Sequence, residues 1–185
     1  MTNELHDSDE NTGTMDVLER HQFDTSKLQE YMHENVNGFE GKIKLEEFKG
    51  GQSNPTYKVI TPNQSYVLRR KPPGKLLKSA HAVDREYKVI TALNKTEVPV
   101  PKSYALCEDE DIVGTSFYIM EFKDGRVLWD PAMESSDIEE ANGVYKSMND
   151  SMAKLHSVDP NEIGLEDFGK PGNYVGRQVS RWSKQ

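Results

Sequence analysis

The chain has 185 residues, of which 35% are hydrophobic and 29% charged, and its 31 acidic and 23 basic side chains give a net charge of -8. This length suits one domain, or one domain with part of a second, and the negative charge argues against nucleic acid as a general partner. The single cysteine, Cys107, excludes an intrachain disulfide, and no apolar run is long enough to span a membrane.

Polar and acidic residues dominate the N-terminus and predict a disordered acidic tail over residues 1–20. The tail carries no recognisable targeting signal, so a cytoplasmic location is the default expectation. Asp24 follows as the predicted N-cap of a short helix, which Asn37 and Gly38 end.

Short runs rich in β-branched and aromatic residues predict five strands, at 43–49, 56–60, 65–70, 103–107 and 116–122. Between the third and fourth strands, Ser79 is the predicted cap of a helix that runs to about Asn94. An acidic loop, Glu108 to Asp111, joins the last two strands. We therefore expect an antiparallel α+β unit over residues 21–122.

Residues 123–185 predict a linker followed by helices. One helix is expected from about 136 to 156, where an apolar stripe recurs at helical spacing through Val144, Met148, Met152 and Leu155. Another begins near Val175. If nothing covers the stripe at 144–155, it offers an apolar docking surface.

Five features along the predicted sheet are suited to holding ATP. Gly50 and Gly51 let the backbone turn tightly and approach phosphate oxygens, and Ser53 adds a hydroxyl. Asn54 begins a stiff return into the next strand. Arg69 or Lys71 presents a positive charge from one face of the third strand, while Arg70 faces the other side.

The next two features complete the arrangement. Glu86, on the helix, is placed to pair with that base and hold its rotamer. After the fifth strand, Glu121, Phe122 and Lys123 offer backbone N–H and C=O groups to an adenine edge. Each feature alone has a common structural explanation, such as a plain hairpin turn or a solvated charge, but their order along the chain indicates nucleotide binding.

This order resembles the N-terminal lobe of the aminoglycoside phosphotransferase and choline kinase superfamily, which is kinase-like. The resemblance extends to the phosphotransferase-like region of acyl-CoA dehydrogenase family members 10 and 11. It rests on the segments GGQSNPTY, YVLRRKPPGKLL, SAHAVDREYKVI, VPVPK, GTSFYIMEF and MAKLHSVD. It implies a kinase-like N-lobe, with a five-stranded sheet and a helix, followed by the first helices of an incomplete C-lobe.

The resemblance also implies roles for single residues. Ser53 and its neighbours match the phosphate-covering loop, Arg69 the phosphate-anchoring base, Glu86 its helix partner, and Glu121 to Lys123 the adenine-binding linker. Arginine at the anchoring position keeps a permanent charge and a forked set of donors, where protein kinases usually have lysine. For the long relatives, the resemblance implies a peroxisomal or mitochondrial location.

No catalytic or metal-binding residue is predicted, because no histidine in the chain precedes Gly-Asp. In the family, a His-Gly-Asp type loop with a later Asn and Asp orients the acceptor and holds Mg²⁺. We therefore expect the N-terminal part of an ATP-dependent phosphotransferase, inactive alone, with Mg²⁺ held only in a complete protein. The implied acceptor is a hydroxyl, by resemblance on a 4-hydroxyacyl-CoA. The alternatives are a non-catalytic module that binds nucleotide or a partner, or a truncated form without independent activity.

Overall fold

The structure, a computed structural model, describes residues 12–50, 53–74, 81–133, 136–169 and 172–184. Its strands are β1 (Thr14–Met15), β2 (Lys44–Phe48), β3 (Thr56–Ile60), β4 (Ser65–Arg70), β5 (Ser103–Cys107) and β6 (Phe117–Glu121). Its helices are α1 (Thr25–Asn35), α2 (Val83–Leu93), α3 (Glu110–Val113), α4 (Ile138–His156) and α5 (Tyr174–Trp182), with a 3-10 turn at Glu19–His21. The predicted α+β class is confirmed.

The strands form one antiparallel sheet in the order β1-β2-β3-β4-β6-β5. A tight turn joins β3 to β4, and in it both the backbone N–H and the hydroxyl of Thr61 donate to the carbonyl of Gln64. Strand β6 lies between β4 and β5, so the end of β6 comes beside the start of β4, where Glu121 pairs with Tyr66. This register places the segment after β6 at one end of the central strands.

The hydrophobic core lies on one face of the sheet, where alternate residues of the central strands point inward. Tyr57, Leu68 and Ile119 are 0% exposed on this face. Helix α1 covers it with Leu28 and Met32, which are also 0% exposed. Burying one such side chain stabilises the fold by about 1.5–3 kcal/mol before entropy is counted. Helix α1 is therefore part of the core of the sheet unit.

Arg70 lies on the core face, opposite Arg69, as strand alternation predicts. Its guanidinium donates to the carbonyls of Val113 at 2.7 Å and His21 at 2.9 Å. The same group lies over the rings of Phe23 and Tyr57. These contacts tie the N-terminal segment, β4 and α3 together behind the sheet.

Helix α2 packs on the other face of the sheet, against β5 and β6. Val83, Ala92 and Leu93 are its buried residues. The part of this face nearer β2 and β3 is left less covered, and it presents the side chains of Lys58 and Arg69. Among the described predicted features, Asn54, Arg69 and Glu86 meet on this face, and the linker follows the end of β6.

The prediction of five strands is wrong by one, because residues 14–15 form an additional strand. Thr14 pairs with Phe48 and Met15 with Glu47, which extends the sheet beyond β2. The 3-10 turn follows, and its His21 side chain contacts Glu47 at 2.6 Å. A disordered tail over residues 1–20 is therefore wrong for residues 12–20, because backbone pairing with β2 outweighs their polar composition. Residues 1–11 lie outside the described ranges.

Two further differences concern helices. Residues 110–113, expected as loop, form α3, which Asp109 caps by accepting a hydrogen bond from the backbone N–H of Asp111. Helix α2 begins at Val83, and Ser79, its predicted cap, lies outside the described residues. The cap of α1 is as predicted, since Asp24 accepts from the backbone N–H of Ser26.

Helices α4 and α5 follow the linker, and neither has a buried residue among those described. In the predicted stripe, Met148 and Met152 are each 54% exposed and Leu155 is 46% exposed. Trp182 of α5 is 69% exposed. Within the described ranges, no helix is both long enough and apolar enough to cross a membrane.

Candidate nucleotide-binding site

Arg69 and Glu86 form the ion pair that their positions predict. The Nε–H of Arg69 donates to Oε2 of Glu86 at 2.8 Å, and its NH1 donates to the hydroxyl of Thr56 at 2.9 Å. NH2 of Arg69 has no acceptor among the described residues. Lys71, the other candidate base, instead lies 3.9 Å from Asp84. Arg69 is thus held from β3 and α2 while part of its donor fork remains available.

Glu86 also receives hydrogen bonds from two other directions. The hydroxyl of Tyr118, on β6, donates to Oε2 at 3.1 Å, and Nδ2 of Asn54 donates to Oε1 at 3.2 Å. Burial, and secondly the negative charge of Glu86, raise the pKa of Tyr118 well above its usual range. Tyr118 therefore stays protonated and remains a donor. Glu86 joins three separate parts of the sheet unit.

The predicted glycine loop lies between β2 and β3, and its two ends are described. Gly50 is in a turn directly after β2, and Ser53 is exposed at the other end. Gly51 lies outside the described residues, as does Gln52. Asn54, which follows Ser53, is only 3% exposed. The loop thus returns to the sheet through a buried amide that contacts Glu86.

Strand β6 leads into the predicted adenine-binding linker, Glu121 to Lys123. Here the Nζ of Lys123 and the backbone N–H of Lys102 donate to the carboxylate of Glu121, and both lower its pKa. The backbone groups of Phe122 and Lys123 have no hydrogen bond to another described residue. These groups are free to pair with a ligand edge beside the sheet.

The aromatic ring of the linker residue Phe122 contacts two side chains of the sheet. Phe48, at the end of β2, stacks with Phe122 at a centroid distance of 6.4 Å and an interplanar angle of 22°. The Nζ of Lys58 lies 4.2 Å from the centroid of Phe122. Glu121, at the start of the linker, pairs with Tyr66 on β4. Tyr66 is three residues from Arg69 along that strand, a distance of about 10 Å. The arrangement offers an aromatic surface at one end and a guanidinium at the other.

Sequence reasoning missed Thr56, Tyr118 and His81. Arg69 pairs directly with Thr56 on β3 and with Tyr118 on β6. Strand alternation would therefore have placed the side chains of Thr56, Arg69 and Tyr118 on one face. The Nδ1 of His81 contacts Oδ1 of Asn54 at 2.7 Å. His81 gave no signal, because the predicted strands between it and Asn54 do not indicate that the start of α2 returns to the glycine loop.

A cavity of about 410 Å³ lies on the core side of the sheet, away from this site. Phe23, Lys27, Arg70 and Asp111 are among its lining residues. It includes none of the predicted site residues. In the part of the chain that the structure describes, no three His, Cys, Asp or Glu side chains are grouped to hold a metal ion.

Residues 44–185 match the model of the family described as the phosphotransferase enzyme family. The chain belongs to this family. The match begins at the first residue of β2 and therefore includes the glycine turn, Arg69, Glu86 and the linker. The resemblance to kinase-like phosphotransferases that the sequence motifs indicated is confirmed.

This phosphotransferase-family chain is similar to several curated proteins. It is 47% identical over 177 residues to "Probable acyl-CoA dehydrogenase IBR3" of Arabidopsis thaliana, covering 91% of the chain and 22% of that protein. Acyl-CoA dehydrogenase family member 11 of Rattus norvegicus is 40% identical, with 93% and 23% covered. Family member 10 of Mus musculus is 43% identical, with 78% and 14% covered. The chain thus spans less than a quarter of the length of these relatives.

A solved structure shares the fold. The crystal structure of an aminoglycoside phosphotransferase-like protein of Ralstonia eutropha JMP134 is 50% identical and superposes with a TM-score of 0.77. The similarity covers 88% of this phosphotransferase-family chain and 47% of the other chain. The kinase-like α+β fold is therefore shared with that protein.

Proposed function

We propose that this chain provides the ATP-binding lobe of a phosphotransferase that acts on a small-molecule hydroxyl. The observation that carries the proposal is the Arg69–Glu86 ion pair, which lies beside the return of the glycine loop at Asn54. An arginine held by a carboxylate through Nε, with NH2 not bonded to another described residue, is suited to phosphate oxygens because its fork matches their geometry. Gly50, Gly51 and Ser53 would cover the same phosphates.

The opposite end of the site suits the base. Glu121, Phe122 and Lys123 would bind the adenine edge, since the backbone groups of the last two lack partners among the described residues. The partly exposed ring of Phe48, which stacks on Phe122, provides an apolar surface for a planar base. ATP fits the residues present, with the base and phosphate ends on one face of the sheet.

ATP supplies the phosphoryl group, and this chain's residues bind and orient it. The sequence of 185 residues contains no His-Gly-Asp run. We therefore propose that the chain alone does not transfer phosphate, and that acceptor orientation and Mg²⁺ binding belong to a complete protein. Homologous regions occur in proteins called acyl-CoA dehydrogenases, which supports an acyl-CoA as the acceptor. The 4-hydroxyacyl-CoA is the acceptor that the resemblance implies.

A second candidate is a non-catalytic module that binds nucleotide or a partner protein. The exposed apolar stripe of α4, with Met148, Met152 and Leu155 about half exposed, favours a docking role. The same exposed stripe is expected of a truncated form without independent activity. ATP binding by the chain separates the main proposal from a partner-binding module and from a truncated form without activity. A non-catalytic module that binds nucleotide differs from the main proposal only in the turnover of the complete protein.

The test is calorimetry of the 185-residue chain with ATP, with and without Mg²⁺. We expect binding, and we expect Arg69→Ala to weaken it about tenfold or more because a charge-assisted contact is lost. Arg85→Ala is the matched control, since Arg85 lies on the same helix as Glu86 but contacts the carbonyl and ring of Phe168. Absence of binding at millimolar ATP would contradict the proposal, and ATP-dependent turnover by the chain alone would contradict its inactivity.

A further inference from the structure

The hydrogen bonds around Asn54 determine the orientation of its carboxamide. Its Nδ2 is 3.2 Å from Oε1 of Glu86, and its Oδ1 is 2.7 Å from Nδ1 of His81. An ionised carboxylate only accepts hydrogen bonds, so the NH₂ group must face Glu86. The amide oxygen then faces His81 and needs a donor. His81 must therefore carry a proton on Nδ1.

The backbone at His81 is in an unusual conformation. Its φ angle of +58° lies in the left-handed region, which non-glycine residues rarely occupy. The conformation places the imidazole next to Asn54 two residues before α2 begins at Val83. Such a conformation persists only where the surrounding structure holds it, and it is common at functional sites.

Asn54 is the member of the Glu86 cluster that belongs to the loop. The other two donors to Glu86, Arg69 and Tyr118, come from β4 and β6 and would hold Glu86 without Asn54. The carbonyl of Asn54 also accepts from the hydroxyl of Thr56, which in turn accepts from Arg69. Asn54 thus connects the returning end of the glycine loop to the anchoring base by two routes.

We propose that Asn54 and His81 are positioning residues for the phosphate groups of the nucleotide. His81 donates to Asn54, which orients the amide toward Glu86 and so ties the end of the loop to the carboxylate that holds Arg69. Asn54 is 3% exposed and so acts through its neighbours instead of touching the ligand. This role rests on the proposed ATP site and assigns it two residues that control its phosphate-binding end.

Substitutions at residue 81 separate the hydrogen bond from the backbone conformation. His81→Asn and His81→Gly both tolerate a left-handed φ, but only asparagine keeps a donor near the position of Nδ1. Asn54→Asp keeps the acceptor for His81, removes the donor to Glu86 and places two carboxylates together. The three variants therefore change the same link in different ways.

The test compares ATP, ADP and adenosine binding to the chain and its variants by calorimetry, with thermal unfolding to verify folding. We expect His81→Gly and Asn54→Asp to weaken ATP and ADP about tenfold. We expect His81→Asn to stay within about twofold of the parent, and adenosine to be unaffected throughout. Unchanged ATP binding by His81→Gly, or an equal loss for adenosine, would overturn the positioning role.

A second measurement does not depend on nucleotide. Nitrogen-15 NMR of the parent chain above neutral pH reports which ring nitrogen of a neutral histidine carries the proton. The Nδ1–H form is expected at His81, and an Nε2–H form would overturn the inference even if ATP binds. If the parent binds no ATP, the proposed function fails and the phosphate role fails with it. ATP binding with an Nε2–H His81 leaves the proposed function standing.

Discussion

The sheet unit and the two C-terminal helices use similar apolar residues with opposite results. Leu68, on β4, is 0% exposed, whereas Leu155, on α4, is 46% exposed. Both lie on the apolar side of a regular element, but only the first is covered by another layer. An apolar stripe can thus predict a helix without predicting a core, because burial depends on what packs against it. The stability of this chain should therefore come mainly from the sheet unit.

The same substitution in the two regions provides the largest contrast. Leu68→Ala should lower the free energy of unfolding by about 2–5 kcal/mol, since it opens a cavity in a closed core. Leu155→Ala should change it by no more than about 0.5 kcal/mol. Urea unfolding of both variants measures the difference. Equal losses would mean that α4 folds as part of the same packed unit.

Two adjacent arginines divide stability from binding across the sheet. Arg70→Ala removes buried hydrogen bonds and two ring contacts, and should lower the free energy of unfolding by about 2–4 kcal/mol. In Arg69→Ala the lost ion pair is partly exposed, so the cost should stay below about 1 kcal/mol. Chemical denaturation of the two variants checks this order. A larger loss of stability in Arg69→Ala than in Arg70→Ala would contradict the assignment of Arg70 to stability and Arg69 to binding.

Alkaline pH should act on the sheet unit through Tyr57. Burial raises the pKa of Tyr57 to about 12 from 10.0, although Arg70 opposes the shift. The unfolded chain therefore releases this proton first, and the stabilisation, up to about 2–3 kcal/mol, is complete below pH 10 and lost toward pH 12. Tyr57→Phe should make the alkaline decline in unfolding free energy shallower.

The control for this pH effect is Tyr145→Phe, in α4, where the side chain is 50% exposed. Unfolding free energies across the alkaline range, with phenolate absorbance as a second signal, compare the two variants. Equal effects of the two substitutions would contradict burial at Tyr57 as the cause.

Much of the sheet unit could be predicted because its signals are local. The bounds of β3, β4 and β5 follow from short β-branched and aromatic runs between turn residues, and they agree with the structure. The Arg69–Glu86 pair was predictable from the order of elements, with a base ending one strand and an acid on the next helix. Their cofactor-binding roles, like those of Gly50, Ser53 and Glu121 to Lys123, stay predictions.

The parts that could not be predicted depend on residues distant in the sequence. Strand β1 has two residues in a polar stretch, and its extended form comes from pairing with Glu47 and Phe48. The contact between His81 and Asn54 spans 27 residues and requires the sheet and α2 to be placed first. Propensity carries no information about such contacts, so the pairing of β1 and the approach of His81 to Asn54 emerge only in three dimensions.

The position of α1 has a consequence for how the protein is made. Its Tyr31 donates to the carbonyl of Leu106, 75 residues later, and its Lys27 donates to that of Asp111, 84 residues later. During synthesis, the apolar side of α1 must wait for β6 to leave the ribosome before the core can close. Such long waiting intervals slow folding and prolong exposure of apolar surface. We therefore expect the apolar side of α1 to stay exposed on the nascent chain until the sheet can form.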